Sequence, residues 1–198
     1  MDNVKACGPD VLGTQETLGF QRDFVADKLS GYEAFGVGRD DGKEKGEMMA
    51  VYWRTARFDK TDGGHFWLSE TPDTAGSKSW DSSLPRMATW VKLKDLANPD
   101  AKPVLFVNTH FDHVGKKARL EAAKRLRDRI GTLGAGCSVV TTGDFNSGEG
   151  SEPYQALFAP RGKDEAPVVD SFRVAHPKRE PGEGTTTDHR IHRTGFTT

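Results

Sequence analysis

Apolar runs that end in polar, titratable side chains recur along this chain. In the clearest of them, residues 139–142 read Val-Val-Thr-Thr and the chain continues as Gly-Asp-Phe-Asn. β-Branched residues favour strands, and side chains two positions apart in an extended segment point to one face. The pattern predicts a strand that presents the Asp144 carboxylate and the Asn146 carboxamide together at its end. Because Gly-Asp-x-Asn is also an ordinary turn sequence, this segment alone leaves a turn equally open.

A second run carries more titratable groups. Residues 103–107 are mostly apolar and lead into Asn108, His110 and Asp112. These three positions share one parity, so a strand through them places all three side chains on one side. Polar groups that follow a buried strand are common at enzyme sites. We therefore expect His110 to be functional, whereas His113 taken alone is predicted to be a structural histidine.

A third, shorter run covers residues 10–14 and leads to Gln15 and Glu16. Alternation along an extended segment sends these two side chains in opposite directions, so only one of them can serve a site at the strand end. A carboxylate oxygen is a ligand suited to a hard divalent cation. We expect Glu16 to be that ligand.

Two stretches show the three-to-four spacing of apolar residues that predicts amphipathic helices. The first covers residues 18–29, with Gly31 as its predicted end. The second covers residues 116–130, and its many lysines and arginines predict a solvated face. Residues 36–46 form a polar, glycine-bearing loop, predicted to be a solvated connection, with a substrate-side loop as the alternative.

Composition narrows the classes of protein that remain. A chain of 198 residues is long enough for one domain with a sizeable core. A net charge of −1 argues against a broad electrostatic groove for nucleic acid, although nucleic acid remains a possible substrate. Cys7 and Cys137 have no metal-type spacing. We see neither a membrane-spanning window nor a signal-peptide pattern, so a cytoplasmic location is the default expectation.

Taken in order, these segments resemble the endonuclease/exonuclease/phosphatase superfamily, the deoxyribonuclease-type metal-dependent phosphoesterases. The matching segments are residues 10–16, 46–53, 80–90, 108–113 and 143–147. The resemblance covers about residues 10 to 176. It implies an α+β, four-layer αββα sandwich in which two mainly antiparallel sheets are flanked by helices. We expect a single domain of this type over residues 1–198, incomplete at its termini.

The resemblance also implies hydrolysis of a phosphodiester or phosphomonoester by an activated water, with Mg²⁺ or Mn²⁺ as cofactor and a phosphorylated substrate as partner. The resemblance implies that Glu16 and Asp144 bind the metal and that Asp144 also activates the attacking water. His110 would stabilise negative charge that builds on the phosphate oxygens, and Glu47 would orient His110. The implied phosphate-binding residues are Asn146, Asn108 and Arg86. Two alternatives stay open from the residues themselves. Glu47 can be a solvated strand-edge charge, and Arg86 can belong to a surface ion pair.

The ends of the chain depart from the family pattern. No apolar strand precedes residue 10, and residues 161–198 form an atypical tail, so the chain is expected to be shortened at both ends. Asp188 and His189 match the terminal Asp-His pair of the family by residue type, which makes them candidate catalytic residues. The short spacing after Asp170 favours the alternative, in which the true pair is missing.

Two other functional classes remain at this level. One is a degenerate family member that binds a phosphorylated ligand or partner without turnover. The other is a different metallohydrolase built on His110, His113, Asp112 and Asp144. The spacing of the two histidines on an extended segment disfavours the second alternative, because they would face opposite sides. Neither the substrate nor the oligomeric state follows from the sequence.

Overall fold

The computed structural model of this chain describes residues 1–159 and 168–180. Its helices are α1 (Asp2–Cys7), α2 (Gly19–Lys28), α3 (Lys116–Leu133), α4 (Glu152–Phe158) and α5 (Ser171–Ala175). Its strands are β1 (Val11–Gly13), β2 (Tyr32–Phe35), β3 (Val51–Arg54), β4 (Phe58–Trp67), β5 (Met87–Asp95), β6 (Val104–His110) and β7 (Ser138–Asp144).

The strands form two sheets. The smaller sheet has the order β1-β3-β2 and is antiparallel, with Tyr52 opposite both Leu12 and Ala34. The larger sheet has the order β4-β5-β6-β7. Its first three strands are antiparallel, whereas β6 and β7 are parallel. Helix α3 makes the crossover that a parallel pair needs.

The parallel pair brings two predicted site residues together. In the register of β6 and β7, His110 lies opposite Asp144, and both residues are the last of their strands. Parallel strands end at the same edge of a sheet, so their terminal side chains emerge side by side. This edge of the larger sheet is therefore where the site is built.

Three apolar clusters define the layers. Trp53 from β3 packs with Val91 from β5 and Phe106 from β6, so one cluster lies between the two sheets. On the outer face of the larger sheet, residues of β4, β5 and β6 pack on α3 and α4. On the outer face of the smaller sheet, Met48, Ala50 and Tyr52 pack with residues of α2. The predicted α+β, four-layer αββα sandwich is confirmed.

Both predicted helices are present, with two differences in detail. Helix α2 ends at Lys28 with Leu29 as its cap, so Gly31 lies beyond the helix, in the turn that leads directly to β2. Helix α3 buries Ala122, Leu126 and Ile130 against the larger sheet. Arg127 is also buried, contrary to the predicted solvated face for all basic residues of this helix. No helix in the described part of the chain is long and apolar enough to cross a membrane.

Candidate active site

Two carboxylates meet where a short backbone bridge joins the ends of the smaller sheet. The Met48 N–H donates to the Thr17 carbonyl at 2.7 Å, and the Thr17 N–H donates to the Met48 carbonyl at 3.3 Å. Glu16 and Glu47 directly precede these two residues. The ligand atoms of Glu16, Glu47 and His110 all lie within 4.8 Å of one another. The bridge therefore sets the two acidic side chains beside the imidazole.

The backbone at this edge is held in an uncommon conformation. Glu16 has φ 54° and Asn146 has φ 45°, in the left-handed region that non-glycine residues seldom adopt. Across residues 1–159 and 168–180, only Trp80 joins them among non-glycine residues, with φ 56°. Such conformations cost about 1–3 kcal/mol each and cluster at functional sites. Two of the three positions belong to the predicted site.

The Glu16, Glu47 and His110 group fits a divalent cation. Burial, and then the charge of Arg86, lower the pKa of His110 to about 4. The imidazole is therefore neutral near pH 7 and keeps a nitrogen lone pair for a ligand. Its Nδ1 is buried without a hydrogen-bond partner in the described structure. Two carboxylates and a neutral imidazole suit an ion such as Mn²⁺ and, with water completing the shell, Mg²⁺.

Asp144 lies next to this group. Its Oδ2 is 3.7 Å from Nε2 of His110, and its side chain is 48% exposed. Its Oδ1 accepts a hydrogen bond from the Asn146 N–H at 2.9 Å, and the Asn146 Nδ2 donates to the Phe111 carbonyl at 3.0 Å. Strand β7 ends at Asp144, so a turn places Asn146, and the predicted continuation of the strand to Asn146 is wrong. The two side chains remain neighbours.

Arg86 is buried, and it makes an ion pair in the interior. Its Nε donates to Asp112 Oδ1 at 3.3 Å, and its Nη2 lies 2.8 Å from His113 Nδ1. Asp112 lies past the end of β6 and also accepts from the Gly115 N–H at 2.7 Å. Asp112 therefore supports Arg86 and the start of α3. The surface ion pair considered for Arg86 does not fit, because Arg86 is 4% exposed.

The metallohydrolase alternative fails on the same contacts. Asp112 and His113 are engaged with Arg86. Among the residues that the structure describes, the group able to hold a metal joins His110 to Glu16 and Glu47, without Asp112, His113 or Asp144. A site built on two histidines and two aspartates is therefore absent from that part of the chain.

Asn108 joins the two sheets, contrary to its predicted contact with substrate. Its side chain has no exposed surface. Its Nδ2 donates to the carbonyls of Thr14 and Ala50 at 2.8 and 3.1 Å, and its Oδ1 accepts from Gln15 and Thr142 at 2.6 and 3.2 Å. Both donors and both lone pairs of the amide are thus occupied, so no group is left for a phosphate.

Glu47 is held by an arginine that the sequence pattern did not single out. Nη1 of Arg39 lies 2.6 Å from Oε2 of Glu47, and Arg39 is 6% exposed. The Arg39 N–H donates to the Glu47 carbonyl at 3.0 Å, and the Trp67 Nε1–H donates to the Arg39 carbonyl at 2.7 Å. Glu47 is therefore no solvated edge charge. Its side-chain ion-pair partner is Arg39, and its carboxylate also lies within 4.8 Å of a ring nitrogen of His110, so the orienting role of Glu47 stays a prediction.

Arg39 lies in the loop of residues 36–46 that the sequence favoured as a solvated connection. Arg39 is buried while residues 40, 41 and 43–45 are exposed, so the loop is only partly a solvated connection, and its role beside a substrate stays a prediction. A hairpin-like loop brings residues eight positions apart together, and the glycines on either side of Arg39 were the available signal. Asp188 and His189, the other predicted catalytic residues, lie outside the described residues.

The fold and this cluster define a class: two-sheet sandwiches with a carboxylate and imidazole site at one sheet edge. The chain belongs to the endonuclease/exonuclease/phosphatase family, whose family profile matches residues 1–198. No curated protein sequence matches it. Membership agrees with the resemblance that the sequence motifs indicated.

Solved structures are similar over most of the chain. A mannosyl-6-phosphatase from Bacteroides thetaiotaomicron is 42% identical, with a TM-score of 0.75 over 79% of this chain and 58% of that one. An endonuclease/exonuclease/phosphatase from Bacteroides vulgatus is 38% identical, with a TM-score of 0.77 over 80% and 60%. The human Nocturnin catalytic domain, at 17% identity and a TM-score of 0.64, shares the fold. The chain thus spans about three fifths of these relatives' length.

Proposed function

We propose that this chain carries the active site of a divalent-metal-dependent phosphoesterase, which uses water to hydrolyse a phosphoester. The observation that carries the proposal is the meeting of Glu16, Glu47 and His110 beside Asp144 at one sheet edge. Family membership supports the same reaction class.

The metal would be held by Glu16, Glu47 and His110, which revises the predicted ligand pair of Glu16 and Asp144. A bound Mg²⁺ or Mn²⁺ would polarise a phosphoryl oxygen and stabilise negative charge on the leaving group. Asp144 is then free to accept a proton from the attacking water, since its carboxylate is half-exposed beside His110. The water oxygen forms a bond to phosphorus, and the phosphorus–oxygen bond to the alcohol breaks.

The remaining groups bind the phosphate. His110 is neutral, so one ring nitrogen can serve as a ligand while the other donates a hydrogen bond. One N–H of the Asn146 side-chain amide donates to the Phe111 carbonyl, and the second can donate to a phosphate oxygen. Asp188 and His189 stay a prediction as a further acid–base pair.

A phosphorylated sugar is the first substrate to test. The 42% identical relative is described as a mannosyl-6-phosphatase, so mannose 6-phosphate belongs in the panel with p-nitrophenyl phosphate and bis(p-nitrophenyl) phosphate. We expect release of phosphate or p-nitrophenol in Mg²⁺ or Mn²⁺ and its loss in EDTA. Asp144→Asn and His110→Ala should each lower kcat by about 100-fold or more.

Asp62→Asn is the matched control, because Asp62 is an exposed carboxylate on β4. It should leave kcat unchanged. Absence of metal-dependent release from every phosphoester in the panel would overturn the proposal. Binding of inorganic phosphate without any turnover would favour the degenerate, ligand-binding family member instead.

A further inference from the structure

A buried tryptophan at the end of β4 holds the backbone of the loop that supplies Arg39. The Trp67 Nε1–H donates to the Arg39 carbonyl at 2.7 Å, and Trp67 is 2% exposed. The two residues are 28 positions apart in the chain, so the contact joins the larger sheet to the loop of residues 36–46. Buried backbone carbonyls keep their hydrogen-bond partners, and this contact therefore constrains the backbone at Arg39.

The Trp67 ring also packs against the tip of the same loop. A Cβ added at Gly42 would lie 3.1 Å from Cη2 of Trp67, so the loop and the indole are in close contact there. The Asp40 N–H donates to the Lys45 carbonyl at 3.0 Å, which closes the loop on itself. The indole thus contacts a closed loop at two points, one near its start at Arg39 and one at its tip.

Trp67 is itself fixed by its surroundings. Its backbone N–H donates to the Pro72 carbonyl at 2.8 Å. The His65 ring meets the indole edge-on, with the ring centroids 5.3 Å apart. Met49 and Met87 pack on it in one apolar cluster. A side chain that packing locks in place can orient the groups it contacts.

Arg39 in turn fixes both the backbone and the side chain of Glu47. The Arg39 N–H donates to the Glu47 carbonyl at 3.0 Å, and Nη1 of Arg39 lies 2.6 Å from Oε2 of Glu47. A carboxylate has two oxygens, so this ion pair leaves Oε1 of Glu47 for a cation. A shift of the Arg39 backbone would therefore move a candidate metal ligand.

We propose that Trp67 is a positioning residue of the candidate metal site. Its indole N–H sets the Arg39 backbone, and Arg39 sets the Glu47 carboxylate beside Glu16 and His110. This inference rests on the proposed function. An indole N–H is a donor only, so Trp67 cannot bind the ion itself. Residues that orient metal ligands change metal affinity by about 10–100-fold when they are replaced.

Calorimetric titration of the full chain with Mn²⁺ tests this role. Trp67→Phe keeps an aromatic ring and removes the N–H, so the Kd for Mn²⁺ should rise by about tenfold or more. Trp53→Phe is the matched control, because Trp53 is also 2% exposed but packs with Val91 and Phe106. Loss of buried volume should lower Tm in both variants, whereas Mn²⁺ binding should weaken in Trp67→Phe alone. An equal Kd in the two variants would overturn the positioning role.

A double-variant cycle shows whether Trp67 acts through Arg39. Arg39→Lys keeps the positive charge and loses the planar guanidinium, so it should also raise the Kd for Mn²⁺. The double variant should raise it no further than the larger single effect, because both changes release the same carboxylate. Additive effects would overturn the connection through Arg39.

The unmodified chain provides a test that does not depend on the folding of any variant. In its NMR spectrum, Mg²⁺ should shift the indole N–H resonance of Trp67 and leave that of Trp53 in place. A Trp67 resonance that Mg²⁺ does not move would overturn the inference.

Turnover separates this inference from the proposed function. In saturating Mn²⁺, kcat of Trp67→Phe for p-nitrophenyl phosphate should return close to that of the unmodified chain, since Trp67 acts on metal affinity. A kcat that stays low in saturating Mn²⁺ would overturn the positioning role. Mn²⁺ binding that depends on Trp67, without hydrolysis of any phosphoester, would overturn the proposed function alone. No Mn²⁺ binding by the unmodified chain would overturn both.

Discussion

At the scale of single residues, the site depends on side chains that work against stability. Glu16 combines a left-handed backbone with a carboxylate that faces Glu47 within 4.8 Å. Like charges at this distance repel, and Arg39 pairs with Glu47 alone, so a cation between the two carboxylates would relieve the remaining repulsion. Residues that bind a ligand often lower the stability of the folded state in this way.

Glu16→Gln should remove the response of the protein to metal. A ligand at 100 times its Kd stabilises the native state by about 2.7 kcal/mol, which is about 5–10 °C in Tm for a domain of this size. We expect that rise for the unmodified chain in Mn²⁺, as measured by calorimetry, and little or none for Glu16→Gln. Glu33→Gln, on an exposed position of β2, should keep the full rise. An equal rise in all three proteins would place the ion elsewhere.

Asp112 should make stability depend on acid pH. Burial alone would raise the pKa of Asp112. Hydrogen bonds from the Gly115 N–H and the Ser83 hydroxyl outweigh this effect and hold the pKa well below its ordinary range. A lowered native pKa contributes stability above the unfolded value, near 3.9, and that contribution is lost as pH falls through the native pKa. Asp112→Asn also leaves Arg86 buried without its counter-charge, at a cost of about 3 kcal/mol at pH 7.

Urea unfolding between pH 7 and pH 3 measures this difference. The gap in unfolding free energy between the unmodified chain and Asp112→Asn should be constant from pH 7 to about pH 5 and should narrow below pH 4. A gap that widens on acidification would contradict the assignment.

At the scale of elements, the loop that precedes β5 is hydrogen-bonded to α3, the helix that follows β6. Helix α3 has glycine at its N-cap and no side-chain cap of its own. Asp81 caps it from the loop instead, since its carboxylate accepts from the Ala118 and Lys117 N–H groups at 2.7 and 3.2 Å. An added Cβ at Gly115 would lie 2.5 Å from the Asp81 carbonyl, so this approach needs glycine. The contact connects α3 with the segment that leads to Arg86.

Asp81→Ala should therefore lower Tm and speed amide exchange at Lys117 and Ala118. A carboxylate at the first turn of a helix satisfies free N–H groups and complements the helix dipole. Thermal unfolding and hydrogen exchange provide the measurements. Asp100→Ala, in an exposed turn far along the chain, should change neither. Unchanged exchange in Asp81→Ala would show that water replaces the cap without loss.

At the scale of the whole molecule, one glycine controls how closely the sheets approach. A Cβ at Gly13 would lie 2.7 Å from both Asn108 Oδ1 and Thr142 Oγ1. This is the point where β1 of the smaller sheet meets β6 and β7 of the larger one. The spacing of the sheets in turn sets the distance between Glu16 and His110, because Glu16 follows β1 and His110 is the last residue of β6.

Gly13→Ala should consequently reduce both stability and metal binding. Overpacking of this kind costs about 1–3 kcal/mol, and the displaced strand would carry Glu16 away from His110. Chemical denaturation and Mn²⁺ titration measure the two effects. Gly148→Ala provides the control, because nothing lies within 4 Å of its added Cβ. A destabilised variant with unchanged Mn²⁺ affinity would show that the sheets and the site are not linked.

The sequence predicted the groups that end strands better than the groups that join layers. His110, Asp144 and Glu16 follow or end apolar runs that period-two alternation marks as strands, and the family resemblance assigned the three to one site. The structural role of Asn108 depends on Gln15 and Ala50, which flank strands β1 and β3 of the opposite sheet, and no local pattern encodes a partner so distant in the chain. Asn146 took the left-handed conformation that its turn-type sequence allowed, against the strand that its neighbours favoured.

The importance of Arg39 was hidden for a related reason. Charge in a glycine-containing loop ordinarily indicates solvent, and only the folded loop shows that Trp67 and Glu47 enclose this arginine. Burial of a charged residue depends on what the rest of the chain packs over it, which composition does not reveal.

The backbone bridge between Thr17 and Met48 has a consequence for how this site can change over evolutionary time. Its two hydrogen bonds involve N–H and C=O groups alone, and every residue type except proline can supply both. The hydrogen bonds that set the spacing of Glu16 and Glu47 therefore do not require threonine at position 17 or methionine at position 48, although both side chains are buried. Substitutions that keep the packing of these two buried positions should therefore leave the distance between Glu16 and Glu47 unchanged.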